Sequence, residues 1–349
     1  MKILIRIPNW LGDAVMATYA LEILFANFKD AHFYLVGSSA SVALFTHYPN
    51  VSTFEDTSKK GRFRILNLYK LAKKIPPCTL GITLQNNFLS ALFLFFNGAK
   101  LRVGFSTEMR SFLLHHHPKK PKQIHEAMRF ALLITTAIKH CNQDSNLIEI
   151  PKKLYLKPPF AQISLPHTFA NSKIAGINAG AAFGAAKRWE EAYFAKCIEY
   201  LIAQNYKILL FGVESENPIN ATILELLPQE LQHSQSIINL SGKTDIPNLI
   251  AYFSKLNFLL TNDSGPMHIA TALKIPTLAL FGPTNAQETA PFCSSNAHII
   301  SLETLGKKLP CMPCMQRTCP FPQNSKDYHK CMHDLTPNLV ISEIQSLIS

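Results

Sequence analysis

No stretch of this sequence runs for the roughly 18–20 uninterrupted apolar residues that a membrane-spanning helix needs, although 47% of its 349 residues are hydrophobic. A secretory leader is not expected at the start of this sequence, where the short apolar run contains Arg6 and stops at Pro8. No Gly-x-Gly-x-x-Gly occurs, which argues against a nicotinamide-dependent oxidoreductase. The small-residue turn "NAGAAFGAAKRW" is not a Walker A motif, because no Gly-Lys-Ser/Thr closes it. Carboxylates are scarce. Asp and Glu number 23 against 34 Lys and Arg, a net charge of +11. Such an excess favours an anionic partner without choosing between nucleic acid, nucleotide, phosphorylated lipid and membrane surface. The basic residues are not gathered with aromatics into an evident groove, so a non-enzymatic nucleic-acid binder is the remote alternative and no nucleic-acid partner is expected. Cytoplasmic placement is expected, with contact at the membrane surface left open.

What is present is an alternation of strand-like and helix-like segments. Residues 2–7 read as a buried strand, and apolar residues recur at helical spacing over 13–28. "AHFYLVG", "CTLGITLQ" and "KLRVGFS" read as strands, with a helical run near 88–96 and a helix from about 125 to 140. After residue 172 the alternation restarts. Strands are predicted at 173–178, "YKILLFG", "SIINLSG", "LNFLLTN" and "IPTLALFG"; helices at 190–204, "DIPNLIAYFSK", "GPMHIATALK" and 335–348. This is the grammar of parallel sheets covered by helices. At this length two domains are expected. The Pro-rich stretch with Pro151, Pro158, Pro159 and Pro166 suits a linker. The predicted fold class is therefore α/β, two doubly wound Rossmann-like domains facing a cleft. The domains are placed at 1–165 and 166–335, with a C-terminal helix over 336–349.

Polar residues gather where strands give way to helices, the place where such sheets bind ligands. In "PNWLGDA", Gly12 permits close backbone approach or an unusual dihedral. Asp13 is either a cap at the helix start or a general base. In "NAGAAFGAAKRW", small residues around Gly180 uncover backbone N–H groups, and Lys187 and Arg188 add charge: a diphosphate cradle, or an exposed basic turn. In "LLFGVESE", Glu214 or Glu216 can accept ribose hydroxyls, or either can simply favour a helix start. In "TNDSGPMHIATAL", Asp263, Ser264 and Gly265 precede Pro266, and His268 either faces phosphate or is a satisfied cap-side histidine. Thr284 follows the last of these strands in "LFGPTN". The segment 106–125, with Arg110, His115–His117, Lys119, Lys120 and Lys122, is either a solvated loop or an anion-binding flap.

Taken together, "KILIRIPNWLGDAVMATYAL", "NAGAAFGAAKRW", "TNDSGPMHIATAL" and "LFGPTN" resemble the lipopolysaccharide heptosyltransferases, glycosyltransferase family 9, over nearly the whole chain. Within that family the match is to the enzymes that add the second inner-core heptose. The resemblance implies a GT-B fold. The acceptor, a lipid A–inner core oligosaccharide, would bind mainly in the N-terminal half. ADP-L-glycero-β-D-manno-heptose would bind mainly in the C-terminal half. It implies inverting transfer with no metal required for catalysis. Asp13 falls on the family's base and Lys187 on its leaving-group cation. Gly180, Arg188, Glu216, Asp263, Ser264, Gly265, His268 and Thr284 complete the expected donor site. Gly12, Arg110 and Lys120 are the expected acceptor contacts. A different acceptor, such as Kdo2-lipid A, is the alternative. Peripheral contact with the cytoplasmic face of the inner membrane would suit a lipid-linked acceptor, and a monomer suffices.

Cys311, Cys314, Cys319 and Cys331 stand at spacings that resemble a metal knuckle, so a structural zinc is a candidate, with a metal-free Cys-rich loop as the alternative. His329 and His333 are further candidate ligands.

Overall fold

Apolar runs too short for helices form the centre of two separate sheets. The structure is a computed structural model. It describes every residue except 60, 61, 142–146, 160, 162 and 349. The chain divides into two units, Met1–Lys157 and Pro158–Ser349.

In the first unit, β1 (Lys2–Arg6), β2 (His32–Gly37), β3 (Val51–Glu55), β4 (Leu80–Thr83) and β5 (Leu101–Gly104) make a parallel sheet ordered β3-β2-β1-β4-β5. Ile3, Leu4 and Ile5 are fully buried, which is why β1 reads as an unbroken apolar run. The helices are α1 (Leu11–Asn27), α2 (Ser39–Ala43), α3 (Arg64–Lys73), α4 (Phe88–Asn97) and α5 (Glu126–Cys141). Helix α1 packs on α5, and α3 packs on α4. Asn97 joins the latter pair. Its amide donates to the carbonyls of Ala72 (3.3 Å) and Ile75 (3.1 Å), and its Oδ1 accepts from the Cys78 N–H (3.3 Å). Gly98 then ends α4 in the left-handed region, φ 80°, where a Cβ would strain the backbone.

The second unit repeats the plan. Strands β6 (Lys173–Asn178), β7 (Tyr206–Phe211), β8 (Ile237–Asn239), β9 (Phe258–Asn262), β10 (Thr277–Leu280) and β11 (Ala297–Ile300) are parallel and ordered β11-β10-β9-β6-β7-β8. The helices are α6 (Glu191–Ala203), α7 (Asn217–Glu225), α8 (Gln229–Gln232), α9 (Ile246–Phe253), α10 (Gly265–Ala272), α11 (Ala286–Thr289), α12 (Lys330–His333) and α13 (Pro337–Ile348). Trp189, 1% exposed, anchors the core, and its indole N–H donates to the Leu335 carbonyl (2.8 Å). Helix α13 packs on α6 through this core, so the C-terminal helix is part of the second unit.

Each sheet reverses its strand order once, between β1 and β4 and between β6 and β9. In doubly wound sheets, ligands bind at this switch point, beyond the carboxyl ends of the strands.

Three expectations change. The units meet at Lys157/Pro158, not at 165, because the chain up to Lys157 is tied to the first unit. The Lys157 N–H donates to Tyr48 Oη (3.0 Å), His47 Nε2 donates to the Lys157 carbonyl (2.7 Å), and the Tyr155 N–H donates to Thr18 Oγ1 (3.0 Å). Ser164 belongs with the second unit, accepting from Tyr252 Oη (3.4 Å). Phe160 and Gln162 of the linker lie outside the described residues. Second, α1 starts at Leu11 with Trp10 as its N-cap, so Asp13 is the third helical residue and not the cap. Third, Gly12 takes ordinary helical backbone, so no unusual dihedral explains it.

Candidate functional site

A cavity of about 500 Å³ lies at the β1/β4 switch point of the first unit. Its walls are the β1–α1 turn (Pro8, Asn9, Trp10, Asp13), Ser38 after β2, Lys59, the β4–α4 loop (Leu84–Asn87), and Glu126 and Phe130 of α5. Hydroxyl and amide groups alternate with aromatic faces and two carboxylates, a lining suited to a polyhydroxylated ligand.

Buried hydrogen bonds fix these walls. Gln85 Nε2 donates to the Ile7 carbonyl (2.7 Å) and to Asn9 Oδ1 (3.3 Å), and Asn87 Nδ2 donates to Gln85 Oε1 (3.3 Å). Ser38 Oγ donates to the Asn9 carbonyl (2.7 Å). Behind Gln85 lies Arg6, 2% exposed and paired with Asp56 at 2.7 Å. Burial drives the Arg6 pKa down, against the opposing pull of Asp56. Burial also pushes the Asp56 carboxyl upward, but Arg6 and the hydrogen bonds from Ser58 outweigh it, leaving it below the ordinary carboxylate range. A depressed carboxylate pKa contributes stability above its unfolded value, and that contribution is lost as pH falls through the folded pKa. Asp56→Asn should therefore cost about 3–5 kcal/mol near neutral pH, because it strands a buried guanidinium. The gap to wild type should narrow as pH falls through the lowered Asp56 pKa. Denaturant melts across pH check this, and a gap that does not change with pH would contradict it.

Arg110 is not an acceptor contact. It is fully buried, donating to the carbonyls of Phe105 (3.0 Å), Gln85 (2.5 Å) and Asn87 (3.0 Å) and to Ser90 Oγ (2.8 Å). Burial pushes its pKa down to about 10, still charged at neutral pH. It holds the β4–α4 loop from behind. Segment 106–125 is likewise not a free flap. Leu113 and Leu114 are buried, and His116 stacks on His140 with ring centroids 3.4 Å apart. Lys120 comes nearer the cavity, 3.8 Å from Glu126, whose other oxygen holds Arg129 at 2.5 Å. Gly12 is not in the cavity wall.

In the second unit, the loops after β6, β7, β9 and β10 bring most of the expected donor residues together. Lys187 Nζ lies 2.5 Å from Asp263 Oδ2, and Thr284 Oγ1 donates to that same oxygen (2.6 Å). Asp263 is 4% exposed, so this is a nearly dry ion pair. The Lys187 ammonium also sits over the Phe183 ring, 4.8 Å from its centroid. Arg188 follows directly, and its Nε–H is buried with no hydrogen-bond partner among the described residues. A buried donor left unmet beside a loop of small residues is where an anionic oxygen would be stabilised.

Glu216 is buried against Gly180, where a Cβ would fall 2.2 Å from its carboxyl carbon, so glycine is needed for this approach. Its Oε2 accepts from the Val213 N–H (3.0 Å). Glu214 is exposed and packs on Gly242 instead. Asn178 links the two clusters: its Nδ2 donates to the Gly180 carbonyl (3.3 Å) and to Ser264 Oγ (3.1 Å). Ser264 thus turns its hydroxyl toward the strand ends, makes no side-chain cap, and leads into Gly265 at the start of α10. His268 is buried, 3% exposed, within α10.

Several wall-fixing residues are not among the expected site residues: Gln85, Asn87, and Asn178 and Asn262, which stand inside two of the quoted motifs. Asn262 Nδ2 donates to the Ala179 carbonyl (2.7 Å), and its Oδ1 accepts from the Trp189 N–H (3.2 Å). Their signal was available, a side-chain amide at or just past the end of an otherwise apolar strand.

The four cysteines share the lining of one small cavity, about 20 Å³. Among the described residues, however, no group of three or more His, Cys, Asp or Glu is placed to hold a metal ion. The expected structural zinc is therefore not supported. The candidate histidines are engaged elsewhere: His329 Nε2 bonds to the Ala186 carbonyl (2.9 Å), and His333 Nε2 lies 3.1 Å from Glu190. Instead the segment clasps the loops after β6 and β10. The Ala186 N–H donates to the Arg317 carbonyl (3.0 Å) and the Met315 N–H to the Pro283 carbonyl (2.9 Å).

Comparisons with known proteins agree with this layout. Residues 68–324 match the model of glycosyltransferase family 9 (heptosyltransferase). The chain is 35% identical to lipooligosaccharide heptosyltransferase 2 of Campylobacter jejuni, over 99% of both chains. It is 26% identical to lipopolysaccharide heptosyltransferase 1 of Pseudomonas aeruginosa, but over only 46% of this chain and 44% of that one. The solved structure of the Escherichia coli ADP-heptose lipopolysaccharide heptosyltransferase II superposes with a TM-score of 0.74 at 26% identity, covering 100% of this chain and 98% of that one. With its two Rossmann-like units of GT-B type, the chain belongs to glycosyltransferase family 9, the heptosyltransferases, and is an ADP-heptose-dependent transferase of lipopolysaccharide synthesis.

Proposed function

We propose that the chain transfers L-glycero-D-manno-heptose, with inversion, from ADP-heptose to the first heptose of the inner core. The observation that carries this reading is the full-length match to relatives of the second kind, against the half-length match to the first-kind relative. The cavity holding Asp13 supports it, since its amides and aromatic faces suit a sugar acceptor.

In this mechanism the first unit holds the acceptor and Asp13 takes the proton from its attacking hydroxyl as the new bond to the anomeric carbon forms. The α1 N-terminus favours the ionised carboxylate in its first turn. The second unit holds ADP-heptose. Lys187 and Arg188 meet the charge that grows on the departing diphosphate, with backbone N–H groups at the start of α10 beside them. Asp263 and Thr284 keep the Lys187 ammonium in place. Glu216 accepts the ribose hydroxyls, and Gly180 gives the nucleoside room beside it.

Glu216→Gln should raise the donor KM by about tenfold, the scale of one charge-assisted hydrogen bond. Glu214→Gln should leave it unchanged. Steady-state kinetics with varied ADP-heptose check this, and the reverse pattern would move the ribose contact to Glu214.

The function itself is tested by offering Kdo2-lipid A and its mono-heptosylated form together, in chelator, and following both products. Preference for the mono-heptosylated acceptor supports the proposal. Preference for the unmodified one would make this a first-heptose enzyme.

A further inference from the structure

We propose that the outer face of α3 and α4 docks on an anionic lipid bilayer. Helix α3 buries Leu68, Leu71 and Ala72 against the unit, yet it also carries a second apolar face. Ile65 is 58% exposed, Leu66 48% and Tyr69 43%, with Phe63 at the N-cap 64% exposed. On α4, Phe95 is 51% exposed, and in the turn packed against α4 Phe112 is 76% exposed. Several of these side chains adjoin aromatic neighbours, in two groups. Tyr69 meets Phe96 edge-on with centroids 5.3 Å apart, Phe96 neighbours Phe95 at 6.4 Å, and Phe88 neighbours Phe112 at 6.1 Å. Exposed apolar groups that adjoin one another in this way mark a docking surface; single ones do not.

The charge around this face selects the occupant. From Thr57 to Thr107 the sequence contains nine Lys and Arg and no Asp or Glu. Arg62, Arg64, Lys70, Lys73 and Lys74 are exposed on or beside α3. Two cations lie directly on the rings: Lys73 Nζ 5.5 Å from the Tyr69 centroid, and the Arg102 guanidinium 5.6 Å from that of Phe95. Apolar side chains set among cations match the boundary between acyl chains and anionic headgroups. A nucleic-acid surface would leave Ile65 and Leu66 without an apolar partner. No helix among the described residues is long and apolar enough to span a membrane, so the contact is one of lying on the surface.

The face runs to the edge of the cavity, since Asn87 both lines the cavity and caps α4 immediately before Phe88. A lipid-linked acceptor could thus keep its acyl chains in the bilayer while its sugars reach Asp13. That consequence rests on the acceptor reading above; the docking does not.

The test is co-sedimentation of the full chain with phosphatidylglycerol-containing vesicles and with pure phosphatidylcholine vesicles. Wild type should partition at least about tenfold more strongly onto the anionic vesicles and come off as salt rises. Ile65→Ser/Phe95→Ser/Phe112→Ser and, separately, Lys70→Gln/Lys73→Gln/Lys74→Gln should each lose about tenfold in partitioning. Both should keep wild-type melting and wild-type turnover of a soluble, delipidated acceptor oligosaccharide. Equal partitioning onto both vesicle types, none onto either, or folded variants that partition like wild type would overturn the proposal. So would wild type that ignores vesicles but retains a DNA duplex through these same residues. Vesicle binding without turnover would sink the acceptor reading and leave the docking surface standing.

Discussion

Asp13→Asn is expected to fold, to bind ADP-heptose, and to turn over about 10²–10⁴-fold more slowly than wild type. Asn matches Asp in shape, so it should fit the same place in the cavity wall. It cannot accept the acceptor's proton. The change also removes a charge from the first turn of α1, where a carboxylate is worth about 0.3–1 kcal/mol to a helix. That loss is too small to unfold a two-unit protein. Trp10 occupies the N-cap and Asp13 lies in the first turn, where the helix N-terminus also favours a carboxylate, so rate and stability have to be read separately. Single-turnover rates at saturating donor and acceptor, alongside melting curves, separate the two roles. A variant that keeps more than roughly a tenth of the wild-type rate would return Asp13 to a structural role and place the base elsewhere.

Lys187→Ala should cost about 10²–10³-fold in turnover, the scale of losing one pre-positioned group that meets transition-state charge. The structure adds a second consequence. Lys187 and Asp263 form a buried pair at 2.5 Å, so the alanine strands the Asp263 carboxylate beside the place proposed for the phosphates. Donor binding should therefore weaken too, and the melting temperature should fall. Adding Asp263→Asn to Lys187→Ala should restore part of the donor affinity, because the repelling charge is gone. It should not restore turnover, because the cation is still missing. Donor titrations and single-turnover kinetics on the single and double variants check this. A Lys187→Ala protein that melts early but turns over at the wild-type rate would make the pair a structural brace only.

The parts of this architecture most legible in the sequence are those buried on both sides. Strands β1, β6, β7 and β9 are uninterrupted apolar runs because helices cover both faces of the sheet, and their ends mark the loops that hold Asp13, Gly180 and Asp263. The edge strands β3 and β11 are half-exposed and carry Ser52, Thr53 and His298 among their residues, so no apolar run announces them. Helix α3 escapes for a different reason. Apolar residues on its exposed face blur the periodicity of its buried one. In the second unit, residue type and position in a turn picked out residues that the structure brings together, Lys187, Asp263 and Thr284 among them, because polar groups at strand ends converge by topology. Direction was not legible. Nothing in "STEMRSFLLHHHPKK" says that Arg110 turns inward to three backbone carbonyls while Lys120 reaches Glu126. Cysteine spacing likewise reported proximity around one cavity but not a metal geometry, which depends on side-chain direction and not on spacing.

The central claim is that this chain adds one heptose to a mono-heptosylated inner core. The most direct measurement is the mass and anomeric configuration of the product formed from ADP-heptose and that acceptor by the purified full-length protein. The account predicts a gain of one heptosyl residue, inversion at the transferred carbon, and ADP released in equal amount. An unchanged acceptor mass with intact ADP-heptose, or a product that retains the donor's configuration, would contradict it.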